Sequence, residues 1–320
     1  MTSSLAPAPE PRRYLGLDLG GTNIKVVVVE RAGDPAGPRI VARETYPTEA
    51  RRGPVGVVER LAEVGRGALE RHGPVAATGV GLPGLFEEET GRTLLIPNLP
   101  GDWYRVPVRD PLVAALGQPV ALINDARAFS LAEALLGAAR GLGTVVCMVL
   151  GTGVGGGVVV DGRLLRGTGT AGEIGHQTVL AGGPLCGCGN AGCVEALTRA
   201  DVFAELGGRA TAEAVYAAAR AGDTLACAAV DHVVQWLGVA LANAYVLLAP
   251  DAFVVGGGIA AAGDLLLDPL REAVRRRVFL APPERVRVLP AALGRYAGAS
   301  GAALYGSEAE SDTLKTASMA

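Results

Sequence analysis

Several short stretches of the sequence combine residue types and spacings that could do chemistry. The first is Asp18-Leu19-Gly20-Gly21-Thr22, set between two apolar runs. Glycine lacks the Cβ that blocks close approach, so the N–H groups of such a turn can converge on an anion, here with a carboxylate at the mouth. Gly151-Thr152-Gly153 forms a second turn of this kind. A third, Gly256-Gly257-Gly258, ends an expected strand and precedes an expected helix, where amides can face an adenosine or phosphate. A fourth, at Gly298, opens the last expected helix. Neither of the first two fits the P-loop pattern, and neither has the strand-to-helix context of a dinucleotide fingerprint. Each alone reads as an ordinary turn; four at strand ends point to a nucleotide cleft between two halves.

Phosphoryl transfer to a hydroxyl needs a base for the departing proton, together with Mg²⁺ and clamps for the phosphate charge. Asp125 follows the apolar run Val120–Asn124 and precedes a helical pattern, a position from which a carboxylate can act as that base. On sequence alone the same residue also suits a helix N-cap. A third feature is His176-(x9)-Cys186-x-Cys188-(x4)-Cys193, one imidazole and three thiols. Tetrahedral Zn²⁺ accepts such a set with no position left open, which makes the expected role structural; buried, reduced cysteines are the other reading. Cys147 and Cys227 stand alone in apolar surroundings. Five cysteines and no secretory signal argue for a reducing, cytoplasmic location rather than a disulfide framework.

Alternating short apolar runs and amphipathic stretches predict an α/β protein. Strands are expected at Tyr14–Asp18, Ile24–Glu30, Arg39–Thr45, Ala76–Gly81, Val120–Asn124, Thr144–Leu150, Gly157–Val160, Ala252–Val255 and Val286–Leu289. Helices are expected at Val55–Arg71, Ala126–Leu136, Thr211–Arg220, Thr224–Leu248, Asp264–Arg277 and Ala299–Tyr305, with a Pro-rich irregular region before Val120. The stretches Leu15–Val29 and Val146–Val160 share one form, apolar strand, Gly/Thr turn, Val-rich strand, like two copies of a hairpin opening two halves. Residues 1–13 and 306–320 read as loose tails.

With 320 residues, 49% hydrophobic, the chain can fill two cores. A formal charge of −3 argues against binding nucleic acid through bulk charge. Two uncharged stretches approach membrane length, Gly141–Val160 and Val233–Pro250. Clustered glycines disqualify the first, and Gln235, Asn243 and a terminal Pro fit the second to a buried core helix, so no membrane span is expected.

Asp18-x-Gly20-Gly21-Thr22-x-x-Lys25, the stretch Leu150–Gly157 and the cysteine cluster together resemble the ROK family of sugar kinases and related repressors, from about Tyr14 to Tyr305. The resemblance implies an actin-like ATPase (ribonuclease H-like) fold: two α/β domains around a central cleft where ATP and a hexose meet. The small domain would span 14–125 with the final helix 299–305 packed on it, and the large one 126–298. Asp125 would be the catalytic base at the sugar 6-hydroxyl, with Asn124 beside it as a sugar contact. Gly84, Asn98, Glu173, His176 and Glu195 would supply further hexose contacts. Asp18, Gly20, Gly21, Thr22 and Lys25 would line the phosphate and Mg²⁺ side, Gly151, Thr152 and Gly153 a second clamp, and Gly256–Gly258 with Gly298 the adenosine. The cysteine window resembles the family's zinc loop, which would hold Glu195 in place and leave one nitrogen of His176 for a sugar hydroxyl. Asn98 followed by Trp103 keeps a family Asn-Trp pair in a slightly longer form, a small push toward glucose.

The leading expectation is thus a glucokinase. An N-acetylhexosamine kinase or fructokinase of the same family, and a sugar-binding protein without catalysis, are the alternatives. The family's repressors carry a helix-turn-helix domain ahead of the kinase-like part, and 17 residues before Asp18 are too few for one. Family members often form dimers through the second domain, so a homo-oligomer, a dimer first, is expected.

Overall fold

The computed structural model describes residues 11–31 and 37–318. Ten residues of the expected N-terminal tail lie outside these, and Arg12 and Arg13 already belong to the first strand. Contacts divide the chain into two compact units, one running to Ala128 and resuming at Arg295, the other spanning Phe129–Gly294.

The first unit contains β1 (Arg12–Leu19), β2 (Asn23–Arg31), β3 (Arg39–Pro47), α1 (Gly53–His72), β4 (Ala77–Leu82), the small hairpin β5 (Leu85–Glu87) and β6 (Arg92–Leu95), α2 (Arg109–Leu116), β7 (Val120–Asn124) and the start of α3 (Asp125–Leu135). The second contains β8 (Thr144–Leu150), β9 (Val154–Val160), β10 (Arg163–Leu164), α4 (Val194–Thr198), α5 (Ala200–Leu206), α6 (Ala212–Arg220), α7 (Thr224–Leu248), β11 (Ala252–Gly256), α8 (Asp264–Arg275) and β12 (Val288–Pro290). The closing helix α9 (Ala297–Ser318) belongs to the first unit.

The sheet of the first unit has strand order β3-β2-β1-β4-β7, that of the second β10-β9-β8-β11-β12. In both, three antiparallel strands at one edge adjoin two strands parallel to the first. The hairpin likeness in the sequence is therefore one visible part of a repeated sheet topology. β1, β2 and β8 are buried over most of their length, as continuous Val/Leu runs covered on both faces require. The edge strand β3 alternates exposed and half-buried residues.

Leu15, Leu17, Val26, Val28, Leu61 and Val80 belong to the core of the first unit, Met148, Phe203, Leu237, Phe253 and Leu270 to that of the second. α7 matches its expected limits. The Asp223 carboxylate accepts the Ala226 N–H at 2.9 Å and caps its start, and it alone among the described residues is long and apolar enough to cross a membrane. Twelve of its residues, from Ala226 to Tyr245, are buried inside the unit, which accounts for that hydropathy as core.

Two differences from the expected elements have physical causes. The irregular region before Val120 holds a helix, α2, whose two turns bury only Leu112 and Leu116 and so show little periodicity. The closing helix does not stop at Tyr305 but continues over most of the expected tail, because its polar residues find partners on the sheet. Tyr14 donates to the Glu310 carboxylate at 3.0 Å, Arg12 pairs with it at 2.6 Å, and Arg31 donates to the Ser307 hydroxyl at 2.6 Å. Such burial through polar contacts leaves no apolar repeat to read.

Close approach sets where α9 lies. Gly16 and Gly79 are register partners on β1 and β4, and a methyl at either would run into the carbonyls of Ala299 or Ala302. Gly79→Ala is expected to lower unfolding free energy by about 3 kcal/mol, since backbone rather than a side chain must give way. Chemical denaturation checks this, and a loss below about 0.5 kcal/mol would contradict the described approach of helix to strand.

Candidate active site

Three parallel strands of the first unit end at one edge. Asp18 of β1 pairs in register with Gly81 of β4, and Gly81 with Ile123 of β7, just before Asn124 and Asp125. At roughly 4.8 Å per strand, the β1 and β7 ends stand about 10 Å apart, the usual place for ligands in open α/β sheets. Asp18 is 8% exposed. Lys25 faces it across the hairpin and donates to Oδ2 at 3.1 Å. Burial pushes the Asp18 carboxyl above its ordinary range, and the Lys25 charge and hydrogen bond oppose that. Gly298 lies in this unit as well, where a Cβ would come within 2.8 Å of the Asp18 Cγ. Gly256–Gly258, expected together with Gly298 at the adenosine, belong to the second unit.

The turn after Asp18 closes through the Gly20 N–H on the Asn23 carbonyl at 3.1 Å. It is braced by Thr48, a fully buried residue that donates its hydroxyl to the Gly20 carbonyl at 2.6 Å and its N–H to the Thr22 carbonyl at 2.9 Å. Thr48 escaped the sequence reading because a lone threonine after a strand carries no signal. Gly21 packs against the backbone of Asn98, whose side chain is exposed. Trp103 is buried in the core and donates its indole N–H to the Pro100 carbonyl at 3.2 Å, so it supports the Asn98 loop from behind.

Asn124 rather than Asp125 takes the N-cap role. Its Oδ1 accepts from the Ala126 N–H at 3.0 Å and the Arg127 N–H at 3.3 Å, and its Nδ2 donates to the Gly84 carbonyl at 3.2 Å. Asp125 is the first residue of α3, half-buried, with Oδ1 accepting the Ala126 N–H at 2.8 Å. The capping alternative for Asp125 thus passes to its neighbour.

In the second unit the turn Gly151-Thr152-Gly153 joins β8 to β9, and the Gly151 N–H closes it on the Gly153 carbonyl at 2.9 Å. Gly256 pairs with Val149, which sets the Gly256–Gly258 turn beside it. A 3₁₀ turn, Ile259–Ala262, lies between those glycines and α8, which starts at Asp264 as expected. Glu173 precedes and His176 ends another 3₁₀ turn, Ile174–His176, held by the His176 N–H on the Glu173 carbonyl at 3.0 Å. Glu195 stands in α4, and its Oε2 accepts the Val154 N–H at 2.9 Å.

His176, Cys186, Cys188 and Cys193 form one cluster, their donor atoms all within 4.8 Å of one another. The Cys188 and Cys193 Sγ atoms are 3.8 Å apart, and the Cys186 Sγ lies 3.6 Å from the His176 Nδ1. Arms of about 2.3 Å to sulfur and 2.0–2.1 Å to nitrogen give tetrahedral edges of about 3.8 and 3.6 Å, so the donor set fits Zn²⁺. With thiols alone, burial pushes Cys186 up to about 12 and Cys193 upward, while the Asn190 backbone N–H lowers Cys188. Only with a cation bound among them would the two buried thiols be held as thiolates.

Of the residues singled out from the sequence, the first unit brings together Asp18, Gly20, Gly21, Thr22, Lys25, Gly84, Asn98, Asn124, Asp125 and Gly298. The second gathers Glu195 with the Gly151–Gly153 turn and with His176 and the cysteines.

Residues 14–308 match the model of the ROK family. A glucokinase of Thermotoga maritima is 38% identical over 284 residues, covering 82% of this chain and 87% of that one. The ROK hexokinase from Thermus thermophilus has a TM-score of 0.84 at 36% identity, covering 94% of this chain and 99% of the other. The ROK family glucokinase from Streptomyces griseus, solved with glucose and AMPPNP, has a TM-score of 0.76 at 33% identity, covering 92% and 99%. The fold is the actin-like ATPase fold of ROK sugar kinases.

Two predictions follow from this geometry. The folded Asp18 carboxyl sits above its ordinary 3.8, so its contribution to stability is greatest while protonated and is lost as pH rises through the raised pKa. Asp18→Asn should raise Tm of the nucleotide-free protein at neutral pH, by less toward pH 4, while abolishing turnover; a lower Tm across that range would contradict the assignment. If Zn²⁺ occupies the four donors, chelation should lower Tm and sugar affinity together, read by calorimetry and elemental analysis. Freshly purified, fully active protein without zinc would remove the metal from the account.

Proposed function

We infer that this chain, which belongs to the ROK family and is a hexose kinase, transfers the γ-phosphoryl group of ATP to the 6-hydroxyl of glucose, with Asp125 as general base. The observation that carries this reading is the position of Asp125 at the C-terminal end of β7, on the strand-end edge that also holds the buried Asp18. Asp125 accepts the 6-hydroxyl proton as that oxygen attacks phosphorus and the bond to the ADP oxygen breaks. The amides of Gly21 and Thr22, with Lys25, take up phosphate charge on a turn that the Gly20 N–H closes, and those of Thr152 and Gly153 do the same from the second unit on a turn that the Gly151 N–H closes. Asp18 would hold Mg²⁺, which when bound neutralises charge on the transferring phosphates.

Asn98, Asn124, Glu173, His176 and Glu195 would bind the remaining hydroxyls, with the backbone at Gly84 alongside, and Gly256–Gly258 would flank the adenosine. A buried polar group left unpaired costs about 1–3 kcal/mol, which is how such a set selects one sugar. The zinc loop would be structural, holding Glu195 and His176. We place the enzyme in the cytoplasm, as a dimer through its second unit, where Leu247, Phe279 and Leu280 are each at least 80% exposed.

ADP release with Mg-ATP across glucose, mannose, fructose, N-acetylglucosamine and N-acetylmannosamine, run beside Asp125→Asn, tests the reading. Glucose should turn over fastest, and the variant should lose at least about 100-fold in kcat. Preference for another of these sugars would keep the mechanism and change the substrate. No turnover with sugar binding intact would favour a non-catalytic sugar binder.

A further inference from the structure

The Glu195 carboxylate faces two ways. Its Oε2 accepts the Val154 N–H at 2.9 Å, at the exit of the Gly151-Thr152-Gly153 turn. Its Oε1 lies 3.6 Å from the Cys186 Sγ, inside the cysteine cluster. Gly153 leaves room for this approach, since a Cβ there would stand 2.5 Å from Oε2. The turn receives a second brace from the same segment, for the Ala200 N–H donates to the Gly151 carbonyl at 2.9 Å. No residue from Val146 to Val160 is ionisable apart from Cys147, so the hairpin has no carboxylate of its own.

We propose that Glu195 is a positioning residue for the nucleotide: its carboxylate fixes the Gly151–Gly153 turn through the Val154 amide, so the cysteine loop sets nucleotide affinity as well as sugar affinity. This rests on the reading of that turn as a phosphate clamp. A turn whose amides must converge on an anion loses affinity if it has to be ordered at each binding event, and a charge-assisted hydrogen bond at its exit removes that cost beforehand. A glutamine keeps one carbonyl oxygen able to accept the Val154 N–H, whereas alanine keeps none.

The test is the Kd for Mg-AMPPNP without sugar, by titration calorimetry, for the wild type, Glu195→Gln and Glu195→Ala. Zinc content, and amide hydrogen exchange at Val154, are measured on the same samples. Glu195→Ala should weaken AMPPNP about tenfold and lose protection at Val154. Glu195→Gln should stay within about twofold for AMPPNP while its KM for glucose rises, a split that general damage to the fold would not produce. If Glu195→Ala does not fold, Gly153→Ala displaces the carboxylate from the other side and should show the same loss. Unchanged AMPPNP affinity in Glu195→Ala, with zinc and fold intact, overturns the proposal and leaves the phosphate-clamp reading standing. No AMPPNP binding by the wild type overturns both.

Discussion

A carboxylate buried at the end of a strand constrains everything around it. Asp18 is 8% exposed, and keeping it ionised there costs more than in water unless positive charge is at hand. Lys25 supplies part of that charge from the register position opposite, which ties the lysine to the geometry of the hairpin. Gly81 and Gly298 also approach it closely: a Cβ at Gly298 would stand 2.8 Å from the Asp18 Cγ, and one at Gly81 3.4 Å from Oδ1, so neither position has room for a side chain without displacing the carboxylate. Helix α9 has glycine as its second residue, Gly298, beside Asp18, and crosses β1 and β4 over Gly16 and Gly79. The demand made by one charged group thus extends from the turn to the path of the closing helix.

The second unit meets a similar demand differently. It repeats the strand order of the first, with a Gly/Thr turn between its first two strands. The β1–β2 hairpin carries a carboxylate and a lysine within its own strands, whereas the β8–β9 hairpin takes its carboxylate from Glu195, about forty residues later. The cysteine loop that leads to Glu195 has only a small buried cluster, Cys186, Cys193 and Ala196, and a short segment with so little core needs another constraint. A tetrahedral cation on the four donors, whose spacings suit it, would provide one.

Much of this was legible in the sequence where a single local cause dominates. Both hairpins follow from Val-rich runs around Gly turns, and α7 from its Asp223 cap and apolar content. The cysteine and histidine spacing announced the cluster that the fold assembles. Features that depend on tertiary partners were not legible. Polar residues of α9 looked like a tail because the groups they meet, on Tyr14, Arg12 and Arg31, lie almost three hundred residues away. Asp125 and Asn124 are equally good caps by type, and only the hydrogen bonds assign the role to Asn124. The burial of Trp103 in the core behind the Asn98 loop likewise depends on tertiary partners. Thr48 carries two hydrogen bonds to the Gly20–Thr22 turn without any pattern that marks it.

The central claim is that phosphoryl transfer occurs at the strand-end edge holding Asp18 and Asp125, and a crystal structure with glucose, Mg²⁺ and AMPPNP tests it most directly. The account predicts the sugar O6 within hydrogen-bond reach of the Asp125 carboxylate, about 2.6–3.2 Å, and the metal on the Asp18 side of the phosphates. A sugar bound with O6 turned away from Asp125, or a cation held without any approach to Asp18, would contradict it.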